Sequence, residues 1–182
     1  NNERNLFKAD PRTPLLWEGN VQSNYYDNFQ LKTNESVNDW SDLITLLDVI
    51  NNSGNNFHNQ VAAYLNVPDY LKIWAINNVY GNLDSYLYYP HNFYLYNDSL
   101  AGKFQWISWD VGVVFGVIPT GFEAQSEFDL LYLPDPPEQL PLNNNLLKDS
   151  LYKADYMNAV CYYLNSGLRT SRLFPVIDSL AA

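Results

Sequence analysis

The chain has 182 residues, 20 of them acidic and 10 basic, for a formal net charge of -10. That length supplies one hydrophobic core, so residues 1–182 read as a single domain or as one lobe of a larger one. With 47% hydrophobic and only 16% charged residues the chain is not disordered, and an acidic surface without a basic stripe excludes nucleic acid as a partner.

The first 35 residues interleave Pro, Asn and Gly with short apolar pieces, NLFKA and NFQLKT, and predict short strands joined by loops. From Ser36 to Asn52, Trp40, Leu43, Leu47 and Ile50 recur at spacings of three and four, which predicts a helix with Asn38, Asp39 or Ser41 as its N-cap. Asn-Ser-Gly-Asn-Asn then breaks the chain, FHNQVAAYLN reads as a second helix, and Pro68-Asp69 opens a third that ends near Gly81. NLDSYLYYPH reads as a loop. The segments NFYLYND and GKFQWISWD, joined by Ser-Leu-Ala-Gly, alternate aromatic and polar residues and predict a β-hairpin. It closes on Trp109-Asp110, followed by VGVVFG, whose small residues can bring backbone close to a ligand. Ile118 to Leu142 holds five of the ten prolines and reads as an extended excursion that lays Phe122, Phe128, Leu131, Tyr132 and Leu133 back on the domain. The remainder reads as helical with Gly167 as a C-cap, so the fold class is α+β, mainly helical.

The single cysteine, Cys161 in AVCYYL, rules out a disulfide framework and zinc-ligand spacing, and reads as a small buried hydrophobe. No stretch reaches the roughly 18 apolar residues of a membrane span, and NNERNLFKAD lacks the shape of a signal peptide. Asn34, Asn51 and Asn97 start Asn-x-Ser triplets, which chance supplies in an Asn-rich chain.

The chemistry concentrates between Gly81 and Gly116. A two-strand hairpin brings its ends together, so Asn92 at its start and Asp110 at its end are expected to be neighbours, with Asp84 just upstream. Two carboxylates and an amide form a hard-oxygen cation site of the kind Mg²⁺ uses when phosphates complete its shell. Phosphoryl transfer needs a carboxylate to orient and deprotonate the attacking hydroxyl, which suits Asp84, and oxygen ligands for the metal, which suits Asn92 and Asp110. The order matches a protein kinase, in which a loop Asp precedes an Asn and a hairpin leads to an Asp-Phe-Gly turn; here Asp110-Val-Gly-Val-Val-Phe-Gly stands at that turn, without a His-Arg-Asp triplet. His91 reads as a hydrogen-bonding residue that positions the loop, and His58 as surface.

GNLDSYLYYPHNFYLYND and GKFQWISWDVGVVFG resemble the signature of the spore coat protein H (CotH) family, kinase-like proteins of bacterial coats, secreted proteins and fungal surfaces. NLFKAD, YYDNFQLKTN and DWSDLITLLDVIN are similar to that family's run-up, so the resemblance is dense from Leu6 to Gly116. It implies a kinase-like C-terminal lobe with a short catalytic-loop hairpin, Asp84 as catalytic aspartate, and Asn92 and Asp110 as ligands of Mg²⁺ or Mn²⁺ carrying ATP. It implies a secreted or surface protein as phosphoacceptor, a secreted or cell-surface location, and an amino-terminal lobe upstream of Asn1 holding the nucleotide-gripping residues. The sequence departs from the family at Gly112, where a second Asp usually follows Trp-Asp-x, which implies weaker metal binding.

Two other classes compete. A non-catalytic surface module could bind protein or glycan through its aromatic face, since the chain holds 15 tyrosines. A hydrolase could pair Asp84 with Asp110, although neither acid has an apolar setting in the sequence.

Overall fold

The computed structural model describes residues 4–115 and 128–181. Among them are four strands, β1 (Leu6–Ala9), β2 (Phe29–Leu31), β3 (Phe93–Asp98) and β4 (Lys103–Ser108), in one antiparallel sheet of order β2-β1-β3-β4. The predicted hairpin is β3–β4, with Phe93 opposite Ser108 and Asp98 opposite Lys103. Gly102, at φ 65, closes its turn by donating its N–H to Asp98 O at 2.8 Å. β1 inserts beside β3 so that Phe7 faces Leu95, which in turn faces Trp106. These three are buried in one row, as the period-two alternation of a half-buried strand requires.

Among the described residues six α-helices outweigh the sheet: α1 (Ser41–Asn52), α2 (Phe57–Tyr64), α3 (Val67–Val79), α4 (Pro141–Lys148), α5 (Ser150–Ser166) and α6 (Thr170–Ala181). α1 starts at Ser41, inside the predicted span, with Trp40 rather than any of the three candidates at the N-cap. Asn38 takes a left-handed φ of 49 and its side-chain oxygen accepts the Trp40 indole N–H, while Asp39 Oδ1 accepts the Ser41 N–H, so side chains hold this stretch outside the helix. α3 has Pro68 in its first turn, and Gly81, at φ 64, turns the chain two residues after its end.

The core lies between the sheet and the helices. Phe7 packs on Trp40 at 5.1 Å, Trp106 on Tyr70 at 4.7 Å, and Trp74 stacks on Tyr156 at 4.2 Å, joining sheet to α1, sheet to α3, and α3 to α5. Buried Tyr156 donates its hydroxyl to Leu130 O at 2.5 Å and accepts from Asn78 Nδ2, so segment 128–140 is tied onto α3 and α5. Phe128, Leu130 and Leu131 pack against the core there, as expected of the excursion; Phe122 lies outside the described residues.

Two expectations need correction. Cys161 is exposed, because the inward face of α5 is the four-spaced set Tyr152, Tyr156 and Val160, and one further residue rotates about 100° off it. His58 is not a plain surface residue: its Nδ1 lies 2.8 Å from Asp149 Oδ2 and its ring stacks on Tyr152 at 4.4 Å, clamping α2 to α5. Gly167 sits at the C-cap of α5 as expected, in a right-handed conformation (φ -80). A Cβ there would lie 2.7 Å from the Tyr80 hydroxyl, so close approach is what favours glycine. Among the described residues no helix is long and apolar enough to cross a membrane.

Candidate active site

The loop between α3 and β3 is anchored at alternate points. Leu83, Tyr86 and Leu87 are buried, and Tyr86 packs edge-on to Phe93 and Trp106 while donating its hydroxyl to Pro14 O at 2.9 Å. Burial pushes the Tyr86 hydroxyl well above its ordinary pKa, so it stays neutral and serves as an anchor. Asn82 donates to Asn77 Oδ1 at 2.8 Å and Ser85 Oγ to Asn82 O at 2.8 Å, which fixes the backbone on either side of Asp84. Asp84 itself remains partly accessible, its side chain 21% exposed.

Both carboxylate oxygens of Asp84 are engaged. His91 Nε2 lies 3.0 Å from Oδ1, and Asn92 Nδ2 donates to Oδ2 at 3.0 Å. The other His91 nitrogen, Nδ1, lies 2.8 Å from Tyr89 O; a carbonyl only accepts, so Nδ1 carries a proton in that bond. His91 therefore spans the loop from Tyr89 to Asp84, the positioning role its sequence context suggested.

Asn92 has φ 59 and Asp110 φ 51, so both ends of the hairpin turn through left-handed backbone, a conformation that Asn and Asp tolerate better than most residues. The second amide hydrogen of Asn92 goes to Asp84 O at 2.9 Å. With both hydrogens directed at Asp84, Asn92 Oδ1 is the free end of the amide, and no described residue donates to it. Asn92 O accepts the Trp109 N–H at 2.9 Å, one step beyond the last β3–β4 pair. Asp110 follows directly, exposed, without a hydrogen-bond donor on its carboxylate among the described residues. The chain then returns to α3, where Phe115 N–H donates to Tyr80 O at 2.9 Å and its ring packs on Tyr80 at 5.2 Å.

The structure thus joins Asp84 to Asn92 side chain to side chain, and joins Asn92 to the residue before Asp110 backbone to backbone. No group of three or more His, Cys, Asp or Glu is gathered for a metal among the described residues. The free oxygens are one amide and one carboxylate, a donor set that fits a hard divalent cation whose remaining positions go to water and phosphate. Gly112 is exposed, and a Cβ there meets nothing within 4 Å.

The sequence reading passed over Asn77, Asn82 and Trp74 beneath the loop. A cavity of about 20 Å³ lies there, lined by these three with Ser85, Asn92 and Ser108 among others, and that volume suits one water. Trp74 Nε1 and Asn82 Oδ1 are buried without a protein partner, one donor and one acceptor. Polar residues flanking a loop carry no sequence signal that separates a buried role from a surface one.

A family model described as CotH kinase protein matches residues 1–182. No curated protein matches the chain.

Proposed function

Because the chain belongs to the CotH kinase protein family, we propose that residues 1–182 are the carboxyl-terminal lobe of a kinase-like domain that transfers the γ-phosphoryl group of ATP to Ser or Thr hydroxyls of secreted or surface proteins. The observation that carries the reading is the fixed orientation of Asn92, whose hydrogens hold Asp84 while its oxygen faces away from it. Asn92 Oδ1 and Asp110 would hold Mg²⁺ or Mn²⁺, which when bound offsets charge on the ATP phosphates.

Asp84 has the attributes of the hydroxyl-orienting base. It is accessible, and His91 and Asn92 fix both oxygens, so the carboxylate plane cannot rotate freely. As the acceptor oxygen bonds to phosphorus, the bond to the bridging oxygen of ADP breaks and the hydroxyl proton passes to Asp84. A positioned carboxylate contributes about 10²- to 10⁴-fold in such a step. Phosphate incorporation into a serine-containing acceptor from labelled ATP tests the assignment. Asp84→Asn and Asp110→Ala are each expected to abolish it with unchanged folding, and undiminished incorporation in both would remove it.

One observation keeps a second reading in play. Exposed Gly112 stands where a second acid is usual in the family, so the alternative is a kinase-like fold retained as a protein- or glycan-binding surface module.

A further inference from the structure

We propose that the groove beside the Asp84–Asn92 loop seats an extended segment of the phosphoacceptor protein and that Arg12 selects a carboxylate side chain within it, an inference that rests on the kinase reading. The groove, of about 400 Å³, is lined by Arg12, Pro14, Tyr89, Pro90, Tyr132 and Pro134 among others. It is continuous with the candidate active site through the chain itself, since Tyr89 and Pro90 lie between Asp84 and Asn92. The opposite wall is fastened to that loop: Thr13 N–H donates to Pro90 O at 2.5 Å, and Tyr86 donates its hydroxyl to Pro14 O at 2.9 Å. Arg12 is thereby held at the groove even though its backbone is left-handed, at φ 69.

Arg12 is the one charged residue of the lining among the described residues. Acidic residues outnumber basic ones 20 to 10 in this chain, yet Arg12 is exposed and has no ion pair or hydrogen bond among the described residues. A guanidinium with no carboxylate facing it among the described residues is complementary to an acid brought by another molecule, which it can bind bidentately. Pro14, Pro90 and Pro134 contribute no N–H donors to the walls, so strand addition along them is disfavoured. The exposed Tyr89 ring offers an apolar face instead, the surface type that receives proline or aliphatic residues of an extended peptide.

The test is a fluorescence-anisotropy titration with two labelled proline-containing peptides, each with a central serine, differing only in one glutamate or lysine near it. The glutamate peptide is expected to bind about tenfold more tightly. Arg12→Glu should reverse that preference and Arg12→Gln erase it. Equal binding of the two peptides, a preference indifferent to Arg12, displacement by ATP with Mn²⁺, or binding of a glycan in place of either peptide overturns the proposal. Phosphate transfer separates the two ideas. Transfer to both peptides alike, insensitive to Arg12→Glu, sinks the groove and spares the kinase. Arg12-dependent binding without transfer spares the groove and sinks the kinase.

Discussion

Asn92 grips Asp84 with both hydrogens of one amide, at 2.9 Å to the backbone carbonyl and 3.0 Å to the carboxylate. An aspartate at this position would bring another anionic ligand to a cation but would set oxygen against oxygen at both contacts. Asn92→Asp is therefore expected to lower phosphate transfer at least tenfold in steady-state assays. Activity equal to the parent would show that the amide is not needed as a donor.

Gly112 offers a gain-of-function test. Its exposed position leaves a Cβ unopposed and its φ is outside the left-handed region, so Gly112→Asp introduces a carboxylate two residues from Asp110 without steric cost. Adding a carboxylate to a hard-cation site raises affinity, here by about tenfold. Calorimetry with Mn²⁺ reads the change; an affinity that stays level or falls places residue 112 outside the metal's reach.

Asp149 links acid stability to the helical half. Burial, the largest single influence, pushes its carboxyl up, but the Tyr152 N–H, the His58 ring and the Leu151 N–H together outweigh it and hold the pKa below the ordinary carboxylate value. A carboxyl depressed on folding stabilises the fold above its unfolded pKa of about 4, and that contribution is lost as pH falls through the lower folded value. Asp149→Ala, which also removes the N-cap of α5, should cost about 1–2 kcal/mol at neutral pH. The gap to the parent in thermal unfolding should narrow as the pH drops below 4, toward about 3; a gap independent of pH contradicts the linkage.

The cavity beneath the loop makes a crystallographic prediction. One ordered water within hydrogen-bonding distance of both Trp74 Nε1 and Asn82 Oδ1 would satisfy the two orphaned groups and link α3 to the loop that carries Asp84. Density showing a dry cavity, with those two atoms paired elsewhere, contradicts it.

What the sequence disclosed follows from the range of the interactions involved. The β3–β4 hairpin was legible because aromatic and polar residues alternate on both sides of a short turn, and its closure puts Asn92 beside Trp109 by topology alone. The outward Cys161 was not, because AVCYYL is apolar all round the helix and its period selects no face; Tyr162 beside it is 66% exposed. The His58–Asp149 clamp joins residues 91 apart, and nothing local to either foretells the other. The start of α1 stayed open among three candidate caps because Asn38, Asp39 and Ser41 look alike in sequence, whereas in the fold Asn38 and Asp39 hold a turn before the helix. In the candidate site the residue types were readable from their order, whereas the gripping of Asp84 by two neighbours depends on a left-handed turn at Asn92 that only the fold displays.

The most direct measurement is a calorimetric titration of the protein with Mn²⁺ and ATP, repeated on Asn92→Ala and Asp110→Ala. Saturable heat in the parent protein that disappears in both variants, while their unfolding temperatures stay near the parent's, is the predicted result. Binding of the metal nucleotide that survives both substitutions undiminished would mean that these two oxygens do not share a cation.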